Sequence, residues 1–357
     1  MAAPGPGQGL EVGEIERQVA ELWRQAGSKD DAVMRACTLN LVVPCEAGDV
    51  SVPGAVAALS EHRPCRAIVV MADAASEEHA LQGWVSAHCH PGAGGRQVCS
   101  EQITLDARGD AVELVPESVL QLFCGDLPVH TWWRRRKMEA DVLFRSLARL
   151  SERFLVDTSA FEDPATSLSS LVALAADRSF RGHVADLAWT RLEPWREMVA
   201  SAFDAPSTRP LLDRPVSLVV RAGGGSDKKD GITAAGAYLA GWIVSRLEWT
   251  PDPAAIRLER DPRFGGGEVG SLRFTAGAAA VASLIAERLG PQSDLVRVVV
   301  EMEGSCPLPR VLKLPRRDEI SLLCRATDRT GPDPVFEAAL SCAAQLAGGG
   351  DPGAEVP

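Results

Sequence analysis

Asp126-Leu-Pro-Val-His-Thr-Trp-Trp133 is followed at once by Arg134-Arg-Arg-Lys137, and the rest of the chain can be placed relative to this stretch. Leu127, Val129 and Thr131 alternate with other residues, which predicts a short buried strand. Side chains alternate across a strand, so the two tryptophans must face opposite sides. One indole ring can enter a core, whereas the other needs a second layer of structure or a partner.

Strand and helix patterns alternate on both sides of this strand. Before it we predict a helix at 11–26, strands at 36–43 and 66–71, a helix at 52–59, a glycine-linked hairpin of 81–89 with 97–105, and a helix at 116–123. After it we predict helices at 140–150 and 167–176 and a strand at 153–156. Such alternation is typical of a layered α/β domain with a mainly parallel sheet.

The second half of the chain shows a similar succession of strand and helix patterns. We predict strands at 216–220, 295–300 and 310–314, a hairpin of 255–259 with 269–274, and helices at 231–247, 318–325 and 334–346. The alanines of 279–289 indicate a further helix, with a strand as the alternative. The fold class is therefore α/β, with two layered α/β domains whose sheets are mixed and mainly parallel. We expect a tail and helix at 1–29, domains at 30–205 and 215–346, and a disordered tail at 347–357.

Composition excludes several classes of function. The chain has 357 residues and a net charge of −11, which argues against a general nucleic-acid binder because phosphate recognition needs a positive field. It contains no apolar run of 18 residues and no signal peptide, so we expect no membrane span and a cytoplasmic location. The nine cysteines are expected to be reduced thiols.

Local motifs for chemistry are weak. The glycine-rich stretch 223–231 fits neither the Walker pattern nor G-x-G-x-x-G, so a plain loop is favoured over a phosphate cradle. His88-Cys89-His90 with Cys99 has poor spacing for zinc and is better explained as a half-buried hairpin. Asp157-Thr-Ser159 at a strand end could bind a ligand or begin a turn. We therefore predict no catalytic residue, cofactor or metal.

Tryptophan and arginine recur together in two blocks, 132–136 and 189–196. The first block is explained either by one core tryptophan beside a solvated basic run or by a protein-contact site; a nucleic-acid platform is disfavoured. In the second block Thr190 and Glu193 fit a capping box, and Trp195, Val199 and Phe203 share one helix face. These tryptophans could equally attach a helix to a sheet.

The chain resembles the glucose-6-phosphate dehydrogenase assembly protein (OpcA) family at several motifs in order. They are Cys37-Thr-Leu-Asn-Leu-Val-Val43, Arg63-Pro-Cys-Arg-Ala-Ile-Val-Val70, Val98-Cys-Ser-Glu-Gln-Ile103, Asp126-Leu-Pro-Val-His-Thr-Trp-Trp133, Asp186-Leu-Ala-Trp-Thr-Arg-Leu-Glu-Pro-Trp-Arg-Glu197, Leu239-Ala-Gly-Trp242 and Ser245-Arg-Leu-Glu-Trp249. The resemblance covers about residues 30–345 and is weaker over the last hundred. The segment 318–340 departs from the family's acidic, Glu-Leu-rich pattern.

The resemblance implies a non-enzymatic assembly factor and allosteric activator of the glucose-6-phosphate dehydrogenase oligomer in the oxidative pentose phosphate pathway. It also implies redox control through thioredoxin in photosynthetic members, with Cys99 as the candidate residue here, although the chain has no C-x-x-C pair. The candidate partner-binding residues are Trp132, Trp133, Arg134, Trp189, Arg191, Trp195 and Arg196. The alternative functions are a sugar-phosphate or nucleotide sensor and an enzyme of carbohydrate metabolism.

Overall fold

The computed structural model describes residues 12–29, 33–92, 96–138, 142–224, 232–265, 267–277, 282–304, 308–329 and 331–349. The chain divides into two compact units. Unit 1 comprises the described residues of Met1–Val156, Asp177–Ala185 and Leu323–Thr330, and unit 2 those of Asp157–Ala176, Asp186–Leu322 and Gly331–Pro357. The predicted boundary at 205–215 therefore lies inside unit 2. The loop 225–231 and the two predicted tails, apart from Val12 onward and Ala347–Gly349, lie outside the described residues.

Unit 1 is built on the eight-stranded sheet found in the described residues. Its strands are β1 (Val33–Arg35), β2 (Asn40–Glu46), β3 (Arg66–Asp73), β4 (Ala80–Pro91), β5 (Gln97–Arg108), β6 (Val129–Trp132), β7 (Arg153–Val156) and β8 (His183–Asp186). Its helices are α1 (Val12–Lys29), α2 (Val52–His62), α3 (Val115–Gln121) and α4 (Val142–Leu150). The main predicted elements are confirmed, whereas β8 was not predicted.

The strand order of this sheet fixes where a ligand crevice would lie. The order is β5-β3-β2-β6-β7-β8, with β1 beside the start of β5 and β4 antiparallel along its length. Strands β5, β3, β2, β6 and β7 are parallel. If β2, β3, β5, β6, β7 and β8 are numbered 1 to 6, the order reads 3-2-1-4-5-6. This is the strand order of doubly wound dinucleotide-binding folds. The order reverses between β2 and β6, so the crevice lies at their carboxyl ends, where the Trp-Trp-Arg stretch leaves β6.

Unit 2 is built on a mixed sheet of six strands in the described residues. They are β9 (Pro215–Ala222), β10 (Ile256–Arg260), β11 (Val269–Ala276), β12 (Ala282–Arg288), β13 (Leu295–Met302) and β14 (Arg310–Lys313), ordered β10-β9-β11-β12-β13-β14. The helices are α5 (Pro164–Ala176), α6 (Leu187–Arg191), α7 (Glu193–Ala202), α8 (Ala234–Arg246), α9 (Glu319–Asp328) and α10 (Pro334–Ala347), of which α9 ends in unit 1. Only the β9–β10 pair is parallel, so this sheet is mixed and mainly antiparallel.

The two faces of the unit 2 sheet differ in polarity. On the inner face Val220, Leu272 and Ala286 are buried. Helix α8 packs against α10 so closely that a Cβ on Gly241 would lie 2.6 Å from the Ala339 carbonyl oxygen, which explains why glycine is needed there. On the outer face the side chains are exposed or half-buried, and they form the rows described below.

Three sequence predictions in this region are wrong. Residues 255–259 and 269–274 form strands but not a hairpin, because β10 and β11 pair with opposite edges of β9. Residues 282–288 form β12 rather than a helix, because inward Leu284 alternates with outward Ile285 in a period of two. Thr190 caps nothing, since Asp186 caps α6 and its carboxylate accepts a hydrogen bond from the Ala188 amide.

Candidate functional site

Both tryptophans at the end of β6 are buried. Trp132 is 1% exposed and Trp133 is 2% exposed. The Trp133 ring meets Phe144 edge-on at 5.1 Å and Phe154 at 5.9 Å, and its Nε1 donates to the Lys137 carbonyl oxygen. An indole buried in its own unit offers no surface to another protein, so the packing interpretation is favoured for both rings.

Arg134 and Arg136, which follow the tryptophans, form hydrogen bonds with the end of β2 and the start of α2. The Arg134 amide donates to the Pro44 carbonyl oxygen, and its guanidinium donates to Ser51 Oγ and lies 4.6 Å from the Trp132 ring. The Arg136 amide donates to Glu46 Oε1 at 3.1 Å. The segment after β6 therefore closes over the crevice between β2 and β6.

This crevice does not fit a dinucleotide. The turn between β2 and α2 reads Ala47-Gly-Asp-Val-Ser51 and lacks the glycines that let a backbone approach a pyrophosphate. Asp49 places a carboxylate at that turn, where it accepts from Ser51 and lies 3.9 Å from Arg134. Burial tends to raise the pKa of Asp49, but the Ser51 hydrogen bonds and Arg134 outweigh it and hold the pKa below its ordinary value. Asp73 ends β3, where dinucleotide-binding folds carry the acidic residue that binds the ribose. This single match does not supply the glycine-rich turn that a pyrophosphate requires.

A buried polar network in unit 2 joins two motifs of the sequence. The carboxylate of Asp186, 1% exposed, accepts from the Thr158 amide and hydroxyl and from the Tyr238 hydroxyl at 2.8 Å. Neighbouring Asp157 accepts from Ser159 and pairs with Arg191 at 2.6 Å. The Asp157–Ser159 segment is therefore held by internal bonds, which favours the turn over the ligand site.

Asp186 and Tyr238 were missed by the sequence reading. Burial, with Asp157 as the second cause, raises the pKa of Asp186 to about 6. Tyr238 is the chain's single tyrosine and lies within an apolar helix. A buried tyrosine hydroxyl needs a hydrogen-bond partner, and this was the only signal in the sequence for the network. The network orders the start of the 186–197 motif.

The remaining candidate residues of the 186–197 motif are also packed within unit 2. Trp189 is 5% exposed and Trp195 is 3% exposed. The Arg196 guanidinium lies 3.5 Å from the Trp189 ring centroid, and its Nη1 donates to the Trp189 carbonyl oxygen. The Trp189 ring also lies 5.8 Å from that of Phe336 in α10. The contacts agree with the interpretation that these tryptophans attach a helix to the core.

Two of the nine cysteines form a disulfide, so the expectation of nine reduced thiols is wrong. Cys89 and Cys99 are direct cross-strand neighbours in β4 and β5 and are bonded to each other. Their bond makes these two sulfurs unavailable as thiolate ligands for a metal. Cys99 is fully buried, whereas Cys89 is exposed.

A second pair of thiols was not predicted. A hydrogen bond with Cys37 lowers the pKa of Cys124 to about 7, and the same interaction raises the pKa of Cys37. A thiol with such a pKa is about half ionised at neutral pH, which favours reaction with oxidants. Cys37 belongs to the first strand motif and Cys124 precedes β6, so sequence spacing gave no sign of the pair.

The described residues contain neither a metal-binding cluster nor a membrane-spanning helix. No group of three or more histidine, cysteine, aspartate or glutamate side chains is arranged to hold a metal ion. No helix among them has the length and apolar character needed to cross a membrane.

Sequence profiles of two adjoining domains match most of the chain. The glucose-6-phosphate dehydrogenase subunit N-terminal domain of the OpcA assembly family matches residues 56–173, and the corresponding C-terminal domain matches residues 182–340. The chain belongs to the OpcA family. The resemblance noted from the motifs is thereby confirmed, including over the C-terminal part where it was weaker.

Three curated relatives are each described as a putative OxPP cycle protein OpcA. The protein from Nostoc punctiforme is 28% identical over 79% of this chain and 65% of its own length. That from Synechocystis is 31% identical over 57% of this chain and 41% of its own length. That from Synechococcus elongatus is 28% identical over 79% of this chain and 68% of its own length. The chain thus spans between two fifths and two thirds of these relatives.

Solved structures with a similar arrangement include proteins described as oxidoreductases and a transcriptional regulator. An NAD-binding oxidoreductase from Klebsiella pneumoniae has a TM-score of 0.45 at 10% identity, with 88% of this chain and 96% of that chain covered. The protein YvaA from Bacillus subtilis, described as a putative oxidoreductase, has a TM-score of 0.43 at 8% identity, with 87% of this chain and 97% of that chain covered. Identities this low carry no information about the reaction.

Proposed function

We propose that this chain is a non-catalytic assembly factor and allosteric activator of glucose-6-phosphate dehydrogenase, acting in the cytoplasm to support the oxidative pentose phosphate pathway. Membership of the OpcA family supports the association with the dehydrogenase. The observation that favours a non-catalytic role is the closed crevice at the carboxyl ends of β2 and β6. There the Pro44 carbonyl oxygen, Ser51 Oγ and the Glu46 carboxylate accept hydrogen bonds from Arg134 and Arg136 rather than being left open for a substrate.

The proposed mechanism is thermodynamic linkage. A protein that binds the active dehydrogenase oligomer more tightly than its other forms shifts the population toward that oligomer, by no more than the difference in affinity. A difference of about 2–3 kcal/mol would change the ratio of the two populations about 30- to 150-fold. No contact with the dehydrogenase active site is needed for this effect.

The outer face of the unit 2 sheet is the contact surface that we propose for the dehydrogenase. One cross-strand row on it combines two exposed arginines with three half-buried apolar side chains, in the order Arg257, Val219, Arg273, Ile285 and Val299. At its edge Leu295 and Val311 are 42% and 56% exposed. Apolar side chains flanked by arginines are common in protein interfaces.

The tryptophan and arginine blocks contribute to this function in a different way. Their rings are buried, so we propose that Trp132, Trp133, Trp189 and Trp195 position the surface rather than form it. Partner contact remains a proposal for the accessible parts of Arg134, Arg191 and Arg196, which are half-buried.

Redox control by thioredoxin is a further part of the proposal. The exposed Cys89 gives a reductant access to one sulfur of the Cys89–Cys99 bond, while the buried Cys99 connects the bond to the sheet. Thiol attack on a disulfide requires such access. Reduction would release the cross-link between β4 and β5 without removing their backbone ladder.

Sedimentation of the purified chain mixed with its cognate dehydrogenase tests the association. We expect one complex larger than either protein, and Ile285→Arg should weaken it at least about tenfold because a charge replaces an apolar contact. Val142→Arg is the matched control, because Val142 is 56% exposed and lies in α4, outside the outer face. Independent sedimentation of the two proteins at all concentrations would refute the association.

An enzyme assay distinguishes the non-catalytic proposal from the alternative that the chain is itself an enzyme. If the chain were itself an enzyme of carbohydrate metabolism, it would turn over glucose 6-phosphate with NAD or NADP in the absence of the dehydrogenase. The proposal predicts no turnover above the buffer background, and turnover that persists through purification would contradict it.

A further inference from the structure

A cleft in unit 2 brings four arginines together from three separated parts of the chain. They are Arg191 in α6, Arg288 in β12, and Arg316 with Arg317 between β14 and α9. The cleft has a cavity volume of about 70 Å³ and is partly open to solvent. This is small beside the roughly 300–1,000 Å³ of typical small-molecule sites, so the cleft has room for a single small group such as one anion.

Carboxylates compensate this positive charge only in part. Three of the arginines have a carboxylate partner, namely Asp157 for Arg191, Glu268 for Arg316 and Glu193 for Arg317. The fourth, Arg288, has no carboxylate within ion-pair distance among the described residues. Three of the four guanidinium groups are therefore paired, whereas Arg288 interacts with Glu268 and Asp294 only at longer range.

Arg288 is the buried cation of this cleft. It is 7% exposed, and its guanidinium donates to the carbonyl oxygens of Ser293 at 2.7 Å and Val269 at 3.4 Å. Burial and the nearby charge of Arg316 lower the pKa of Arg288. A buried charge without a counter-ion is costly, so the protein is expected to gain stability when an anion binds beside it.

Arg316 retains hydrogen-bonding capacity toward the cleft. Its Nε is buried and makes no hydrogen bond, although Glu268 Oε1 lies 2.7 Å away, so the pair is poorly aligned. Its Nη2 donates to Glu268 Oε2 at 2.9 Å and also to the Pro291 carbonyl oxygen. An anion with better geometry can therefore compete with Glu268 for this guanidinium.

We propose that the cleft binds the phosphate group of a small phosphate monoester, with Arg288 and Arg316 as its main donors. Guanidinium groups match phosphate oxygens with two parallel hydrogen bonds, and several arginines from different directions suit a tetrahedral anion better than a planar carboxylate. Pro194 and Trp195 line the same cleft and supply an apolar wall for the rest of the molecule. The proposal is independent of dehydrogenase binding.

Calorimetric titration of the full chain tests the site, at constant ionic strength set with chloride. The probes are inorganic phosphate, glucose 6-phosphate and glucose. We expect saturable binding of both phosphates, tighter for glucose 6-phosphate if the apolar wall is used, and none of glucose. Equal affinity for the two phosphates would contradict a role for the apolar wall and limit the site to recognition of the phosphate group alone. Absence of saturable binding of either would overturn the proposal.

Two substitutions with opposite expected signs locate the site. Arg316→Gln should weaken phosphate binding about 10- to 100-fold, the effect of losing one charge-assisted hydrogen bond. Glu268→Gln should tighten it, because the competing carboxylate is removed. Arg273→Gln is the control, since Arg273 is exposed on the outer face of the same sheet. If all three variants bound phosphate as the wild type does, the assignment to this cleft would be wrong.

Discussion

Asp186 makes the stability of the chain depend on pH. Its pKa is raised by burial to about 6, against an ordinary 3.8. The corresponding stabilisation is fully present below pH 3.8 and is lost as the pH rises through about 6, because only the folded state holds the proton in that window. We expect this residue to lower the unfolding free energy by about 2–3 kcal/mol between pH 4 and pH 7.

Asp186→Asn should remove that slope, because the amide does not titrate. Urea unfolding of both proteins at pH 4.5 and pH 7 measures it, with exposed Asp252→Asn as the control. An equal pH dependence in wild type and Asp186→Asn would show that Asp186 is ionised in the folded protein throughout this range.

Trp133 distinguishes packing from partner contact. Its ring is enclosed by Phe144 and Phe154, so Trp133→Ala should lower the unfolding free energy by about 3–5 kcal/mol. Trp84→Ala, at a 43% exposed position, should cost less than about 1 kcal/mol. Chemical denaturation measures both. A Trp133→Ala variant as stable as the wild type would contradict the packing interpretation and favour a contact role for Trp133.

The hairpin of β4 and β5 gains part of its stability from the Cys89–Cys99 disulfide. Cys89→Ser with Cys99→Ser should lower the unfolding free energy by about 2–3 kcal/mol, in line with the short loop that the bond closes. Dithiothreitol should destabilise the wild type by a similar amount and leave the double variant unchanged. If it destabilised both equally, the effect of dithiothreitol would not come from the Cys89–Cys99 bond.

Much of the secondary structure could be predicted from periodicity alone, and the failures have physical causes. The apolar run of β3 and the helical spacing of α1 were visible because each element buries a regular face. Residues 279–289 were misread because alanine favours helices, while burial of alternate residues decided for the strand β12. Register and strand pairing, as for β10 and β11, depend on contacts distant in sequence.

The candidate site was less predictable than the fold. The sequence located the Trp-Trp-Arg stretch at the end of a strand, but only the strand order placed it at the crevice between β2 and β6. The cleft arginines at 191, 288 and 316–317 are spread over about 125 residues of the chain, so no local motif marks them. Buried partners such as Asp186 and Tyr238 meet only in the folded unit.

The whole molecule combines a closed doubly wound crevice in unit 1 with an exposed outer face on the sheet of unit 2. The closed crevice favours action through another protein, and the outer face supplies a surface for it. Family membership identifies glucose-6-phosphate dehydrogenase as the proposed partner. The central claim is that binding alone raises the activity of that enzyme.

The activity of dilute glucose-6-phosphate dehydrogenase, measured against increasing concentrations of this chain, tests the claim most directly. We predict a saturable rise in activity, a curve shifted at least about tenfold to higher concentration by Ile285→Arg, and no shift for Val142→Arg. Dehydrogenase activity that stays constant up to concentrations at which the two proteins sediment together would contradict the account.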